Sequence, residues 1–194
     1  MNRILVSICL VALSGCTRIA VTHPVGKAVP AAELDEALSG EWIGGKGVIW
    51  TVSRPKDSAK LHVAYPEDGK NKEAYFLVTQ IADDVSIVWV DDKELDASLP
   101  LRVSGGDDAL TLLYPDEEEI KRLVGEKKIT GSYDEPKKAW ILSDQELEPF
   151  LVQKAFWRLD VSMPFVRTKK SARPPDSTPP AAPAEQRPEQ RPAG

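Results

Sequence analysis

The chain has 194 residues, 42% hydrophobic and 28% charged, with 30 acidic against 25 basic side chains and a formal net charge of −5. Acids and bases are interspersed over most of its length, and no stripe of Lys and Arg runs through the apolar-patterned region, which argues against sequence-independent binding of nucleic acid. The two cysteines, Cys9 and Cys16, both fall near the start, so neither a disulfide nor a thiolate metal site is expected further along. No apolar run after them approaches the eighteen or so residues of a membrane-spanning helix.

The chain opens with a short basic head, Asn2-Arg3, then an apolar stretch from Ile4 to Leu13 that is too short to span a bilayer, then Leu13-Ser14-Gly15-Cys16. This segment resembles a bacterial lipoprotein export signal, with cleavage before Cys16 and residues 1–15 removed. The resemblance implies that the Cys16 thiol receives a diacylglycerol and its freed amino group a further acyl chain such as palmitate. Several chains make a stable tether where one binds only marginally. Thr17 follows the cysteine where an aspartate would resemble an inner-membrane retention signal. The implied address is the periplasmic face of a bacterial outer membrane, with the membrane itself as first partner.

Residues 16–39 read as a polar spacer carrying the lipid and ending in a short helix. Pro24, Gly26 and Pro30 punctuate it, while Ala31, Leu34, Ala37 and Leu38 fall at helical spacing, with Pro30 at the entrance and Gly40 placed to end it. The period then changes to two. Strands are expected at residues 48–52, 61–65, 74–81, 85–90, 99–103 and 110–114, separated by turn chemistry at Glu67-Asp68-Gly69-Lys70, Asp83-Asp84 and Gly105-Gly106-Asp107-Asp108. Two helices interrupt the later part. Asp116 with Glu119 and Ser143 with Glu146 resemble capping boxes ahead of apolar helical faces, and Pro149 should kink or shorten the second helix. Further strands are expected at 128–133, 138–142 and 155–161. The β-rich domain therefore covers 40–166, and residues 167–194, rich in Pro, Ala, Glu, Gln and Arg, form a tail too poor in apolar surface to order.

Gly40-Glu41-Trp42, preceded by a short helix, resembles the G-x-W element of lipocalins. In that family an arginine near the last strand packs over the tryptophan, and the resemblance assigns this role to Arg158. The expected fold is mainly β, an antiparallel sheet closing as a lipocalin-like barrel or half-barrel. A barrel of about eight strands encloses room for side chains or one small ligand, and Trp42, Trp50, Tyr75, Phe76 and Trp89, with Arg158, are the candidate residues lining such a site. Arg167, Lys169, Lys170 and Arg173 form a basic cluster that could rest on anionic lipid, a polyanionic envelope polymer or an envelope protein.

His62 alternates away from Leu61, Val63 and Tyr65 and lies on the less apolar face, without the nucleophile spacing a hydrolase needs. The acidic pairs Asp83-Asp84, Asp91-Asp92 and Asp107-Asp108 lack a calcium-loop pattern, and adjacent carboxylates on a strand point to opposite faces. No catalytic residue, metal or cofactor is expected. The first functional expectation is a lipid-anchored, non-catalytic envelope accessory or interaction module; the alternatives are a lipocalin-like carrier of a small apolar or lipid ligand and, last, an envelope hydrolase.

Overall fold

Strict alternation of apolar and polar residues gives each strand one face that must leave water, and a curled antiparallel sheet can bury all of those faces against one another. The computed structural model, which describes residues 17–56 and 58–170, shows this solution. Its elements are β1 (Arg18–Val21), β2 (Lys27–Ala28), α1 (Ala31–Leu38), β3 (Gly40–Ile43), β4 (Ile49–Ser53), β5 (Lys60–Glu67), β6 (Lys70–Ala82), β7 (Val85–Asp92), β8 (Ala97–Gly106) and β9 (Ala109–Pro115). After these come α2 (Glu117–Gly125), β10 (Gly131–Asp134), β11 (Ala139–Leu142), α3 (Glu148–Leu151) and β12 (Trp157–Lys170). Strands β3 to β9 follow one another as antiparallel neighbours. β12 closes the circle by pairing with β9 on one edge and β3 on the other, giving a closed, lipocalin-like barrel of eight strands.

Each barrel strand sends large apolar side chains inward. Trp42, Trp50, Val63, Phe76, Val88, Leu99, Leu112 and Phe165 are all buried in the interior cluster, and Trp50 stacks on Tyr65 at 4.8 Å. The outer faces of β3, β4 and β5 carry Glu41, Thr51 and His62. A packed apolar interior is the reverse of the polar lumen of membrane-spanning barrels. Among the described residues no helix is long and apolar enough to cross a membrane.

A second core lies outside the barrel wall. The chain between β9 and β12 forms a lobe of α2, β10, β11 and α3, and its Ile120, Leu123, Leu142, Leu147 and Leu151 pack with Ile87, Trp89 and Leu113 on the outward faces of β7 and β9. Asp116 caps α2, its Oδ1 accepting from the Glu118 and Glu119 backbone N–H groups at 2.9 and 3.0 Å. Glu119 does not complete the expected box, because its carboxylate is taken by Arg122 at 2.6 Å. The second expected helix is reduced to α3, with Pro149 in its first turn. Proline fits there because that N–H has no helical partner.

The N-terminal stretch is not a spacer. β1 lies parallel to β11 through four residue pairs, from Arg18 opposite Ala139 to Val21 opposite Leu142, and touches β8 where Val21 meets Ser98. Ile19, Ala20 and Val21 are buried. Packing thus takes hold of the chain at residue 18, not at residue 40.

The arginine over Trp42 is Arg167, not Arg158. β12 runs on to Lys170, well beyond the expected end at Val161, and its far half is the part that pairs with β3, so the position beside Trp42 falls to Arg167. Its guanidinium lies 4.5 Å from the Trp42 ring centroid, is 9% exposed, and donates to the backbone oxygens of Glu36 and Ala37 at the end of α1. The Trp42 indole N–H donates to Leu38 O at 2.8 Å. Together these contacts fasten α1, through buried Leu34, as a plug across one end of the barrel. Gly40 holds φ +136°, open to glycine but costly for other residues, and that lets the chain turn from the extended Ser39 into β3. Arg167 is therefore structural and leaves the expected basic cluster. Lys169 and Lys170 pair as strand backbone with Glu41 and Gly40, and Arg173, with residues 171–194, lies outside the described residues.

Arg167→Ala should lower unfolding free energy by about 2–4 kcal/mol, since it removes a ring–cation contact and charge-assisted hydrogen bonds to helix carbonyls. Arg167→Lys should recover only part of this, lacking the planar fork. Arg158→Ala should leave the urea midpoint unchanged; equal losses at 158 and 167 would refute the assignment.

Candidate ligand cavity

With α1 across one end, access to the interior depends on the other. β8 and β9 pair from Gly106 opposite Ala109 to Arg102 opposite Leu113, and no further. Beyond that point the start of β8 turns to β1, while Tyr114 and Pro115 of β9 stay with Arg158 and Trp157 of β12. The barrel wall is therefore split along a short seam. Pro100 and Pro115 stand on its two sides, and residues without an N–H are tolerated where a ladder is interrupted. β12 adds a large bulge at the same place: residues 159–161 have no partners on β9, whose Leu113 and Tyr114 face Ser162 and Arg158.

A cavity of about 100 Å3 enters the barrel at this seam. Its inner wall is Trp50, Phe76, Val90, Leu99, Leu112 and Met163, and its rim is formed by Thr17, Arg18, Pro100, Tyr114, Glu117 and Arg158. A second void of about 50 Å3 lies deeper, towards the plugged end, among Leu38, Trp42, Val63, Val103 and Phe165. Trp50, Phe76 and Leu112 line both. An enclosed apolar cavity of roughly 150 Å3 accepts one benzene. Smaller than that on its own, the outer cavity is on the scale of a chain end, and only the two spaces together reach that of a single ring.

The rim is charged, and its cations are paired with acids. Arg18 Nη1 lies 3.1 Å from Asp92 and 3.0 Å from Glu94, and its Nη2 donates to Lys137 O at 2.9 Å. Arg158 pairs with Asp160 at 2.7 Å, and that hydrogen bond holds the Asp160 carboxyl below its ordinary pKa. Glu117 pairs with Lys121 at 3.1 Å, and hydrogen bonds from Lys121 to Glu118 and Glu117 raise the lysine's pKa. The exposed pairs contribute little to stability and can exchange partners readily.

The structure brings together only part of the expected site. Trp50 and Phe76 line both voids, Trp42 the deeper one, and Arg158 the rim. Tyr75 does not join them: it neighbours Phe76 on one strand, so it must face outward, where it is 47% exposed beside the His62 ring. Trp89 also faces away from the barrel interior, fully buried in the second core, with its indole N–H donating to Thr79 Oγ1 at 2.8 Å. His62 Nε2 lies 3.4 Å from Glu73 on that same outer face. The cavity also draws on residues that the sequence reading passes over. Strand parity signals Leu99, Leu101, Leu112 and Met163, whereas Thr17 to Ile19 carry no local signal at all. Compared with known protein families, curated proteins and solved structures, the chain matches none.

Leu112→Ala should join the two voids. The expected cost is about 2–5 kcal/mol in urea unfolding, as for other large-to-small core changes, with a larger xenon-induced shift of cavity methyl signals in NMR than the parent shows. An unchanged shift would mean the two spaces are not separated by this side chain.

Proposed function

We propose that this is a non-catalytic, lipid-anchored protein of the outer membrane's periplasmic face whose barrel holds a small apolar ligand or the end of one acyl chain. The observation that carries the reading is an apolar cavity that enters a closed barrel through an unpaired seam. A barrel that served only as a rigid platform would gain stability by filling that space, because unfilled core volume costs free energy. The export-signal resemblance at residues 1–17 supports the anchor and the address. The lipocalin-like G-x-W element, with Arg167 over Trp42, supports a carrier architecture.

A second reading, an interaction module for another envelope protein, is favoured by one specific feature. Ile49, Ile43 and Val166 lie side by side across β4, β3 and β12 and are 49%, 36% and 56% exposed, an apolar row on the outer wall. Exposed apolar rows of this kind mark contact surfaces when they are contiguous. Cross-linking in intact cells, compared with an Ile43→Lys variant, tests it: loss of one specific cross-link supports the module.

For the carrier, the mature chain should bind a single-ring apolar probe such as toluene, read from NMR shifts of cavity methyls, and Leu99→Trp, which fills the outer cavity, should weaken binding at least tenfold, about 1.4 kcal/mol. Native mass spectrometry of membrane-extracted protein should show an added lipid-sized mass that the variant lacks. A barrel that binds no such probe and carries no added mass overturns the reading. Cys16→Ala should leave the protein soluble or mislocalised, and unchanged outer-membrane retention would remove the anchor.

A further inference from the structure

The cavity mouth, the residue that follows Cys16 and, among the described residues, the most exposed large apolar side chain all lie at one end of the barrel. Thr17 and Arg18 form part of the rim, and Thr17 is joined directly to Cys16. One residue spans at most about 3.6 Å of extended chain, so an acylated Cys16 has little freedom to stand away from the seam. β1 removes the remaining slack. Its backbone is locked to β11 through four residue pairs, and the Arg18 side chain is held to Asp92, Glu94 and Lys137 O.

The second observation is Leu159. From β12 Phe165, Met163 and Val161 face the interior, and after the register shift in the bulge Arg158 faces the cavity again, so Leu159 stands between two lining residues and is itself 66% exposed. It sits in the unpaired bulge between Arg158 and Val161, both of which line the cavity. An exposed apolar side chain thus stands at the rim itself. Around it, Arg158 and Asp160 form an exposed pair, and Arg18 is held between Asp92 and Glu94, so each cation of the rim has an acidic partner. An amphipathic side-chain set of this kind, arginine next to an exposed leucine, suits the zone where headgroups meet acyl chains.

We propose that the seam end of the barrel, with Leu159 as its wedge, is a membrane-docking surface that seats the cavity mouth on the bilayer carrying the anchor. This rests on the reading of Cys16 as lipidated but not on the identity of any ligand. α1, at the opposite end of the barrel, faces away from the membrane, and apolar molecules pass between the bilayer and the barrel through the β8–β9 seam without crossing water.

The mature chain offers a direct test, because after removal of residues 1–15 no cysteine other than Cys16 remains. Leu159→Cys and Glu33→Cys, the latter on an exposed position of α1, are labelled with a nitroxide in the acylated full chain. Each is reconstituted into phosphatidylethanolamine–phosphatidylglycerol vesicles. On vesicle binding, collisions of the label at 159 with an aqueous nickel chelate should fall severalfold and those with lipid-dissolved oxygen should rise, while the label at 33 should stay in water. If both labels stay equally accessible to nickel on vesicle-bound protein, the docking surface is wrong and the anchor stands. If the purified chain carries no acyl groups by mass and does not bind vesicles, the anchor fails and takes the docking surface with it. Circular dichroism of both labelled variants should match the parent, so that a difference in collision rates reports orientation and not folding.

Discussion

The strand that closes the sheet governs the rest of the molecule. β12 is paired along both edges, with β3 and β9, and without it the inward-facing Trp42, Trp50 and Leu112 would line an open half-barrel exposed to water. Closure abolishes two free sheet edges that would otherwise invite pairing with other chains. It also fixes the two ends of the barrel, because β12 carries Arg167 to the plug at one end and the 159–161 bulge to the mouth at the other. A single long strand therefore sets what is shut and what is open.

The lobe inserted before β12 has a matching role on the outside. A closed barrel with polar outer faces needs no cover, yet β7 presents Ile87 and Trp89 outward, and these require a partner layer. α2, β11 and α3 supply it, and β1 is drawn in as the strand between β11 and β8. The lobe thereby couples the start of the described chain to the barrel wall next to the seam. That coupling is what would turn an anchor at Cys16 from a loose tether into something that orients the barrel.

The barrel strands are legible in the sequence because alternation is a local property: Leu61, Val63 and Tyr65 announce one buried face without reference to any other part of the chain. The start of α2 is legible for the same reason, since Asp116 acts on N–H groups two and three residues away. What escapes is non-local. Ile19-Ala20-Val21 is too short to stand out, and its strand character comes from β11, far later in the chain, through parallel pairing that no hairpin turn signals. The end of β12 is hidden by composition. Thr168, Lys169 and Lys170 look like the start of a solvated tail, but pairing with β3 outweighs their weak intrinsic preference for a strand. The same misplaced boundary puts Arg158 where Arg167 belongs. Within the cavity, Tyr75 and Phe76 cannot both face inward, so parity alone suffices to remove Tyr75; Trp89 has the outward parity that only the second core explains.

The two ends of the barrel also differ in what they ask of the chain. At the plugged end the indole donor of Trp42 and most of the Arg167 guanidinium find backbone carbonyls of α1, so that end is stiff and specific. At the seam the β8–β9 ladder stops, two prolines remove donors, and the 159–161 segment of β12 goes without partners on β9. Local opening free energies are smallest where backbone hydrogen bonds are few and solvent-exposed, so widening the mouth costs less than moving the plug. Any enlargement of the cavity would therefore come from parting β8 from β9, with the work falling on the segment between Tyr114 and the bulge and Trp42 and the core around it left undisturbed.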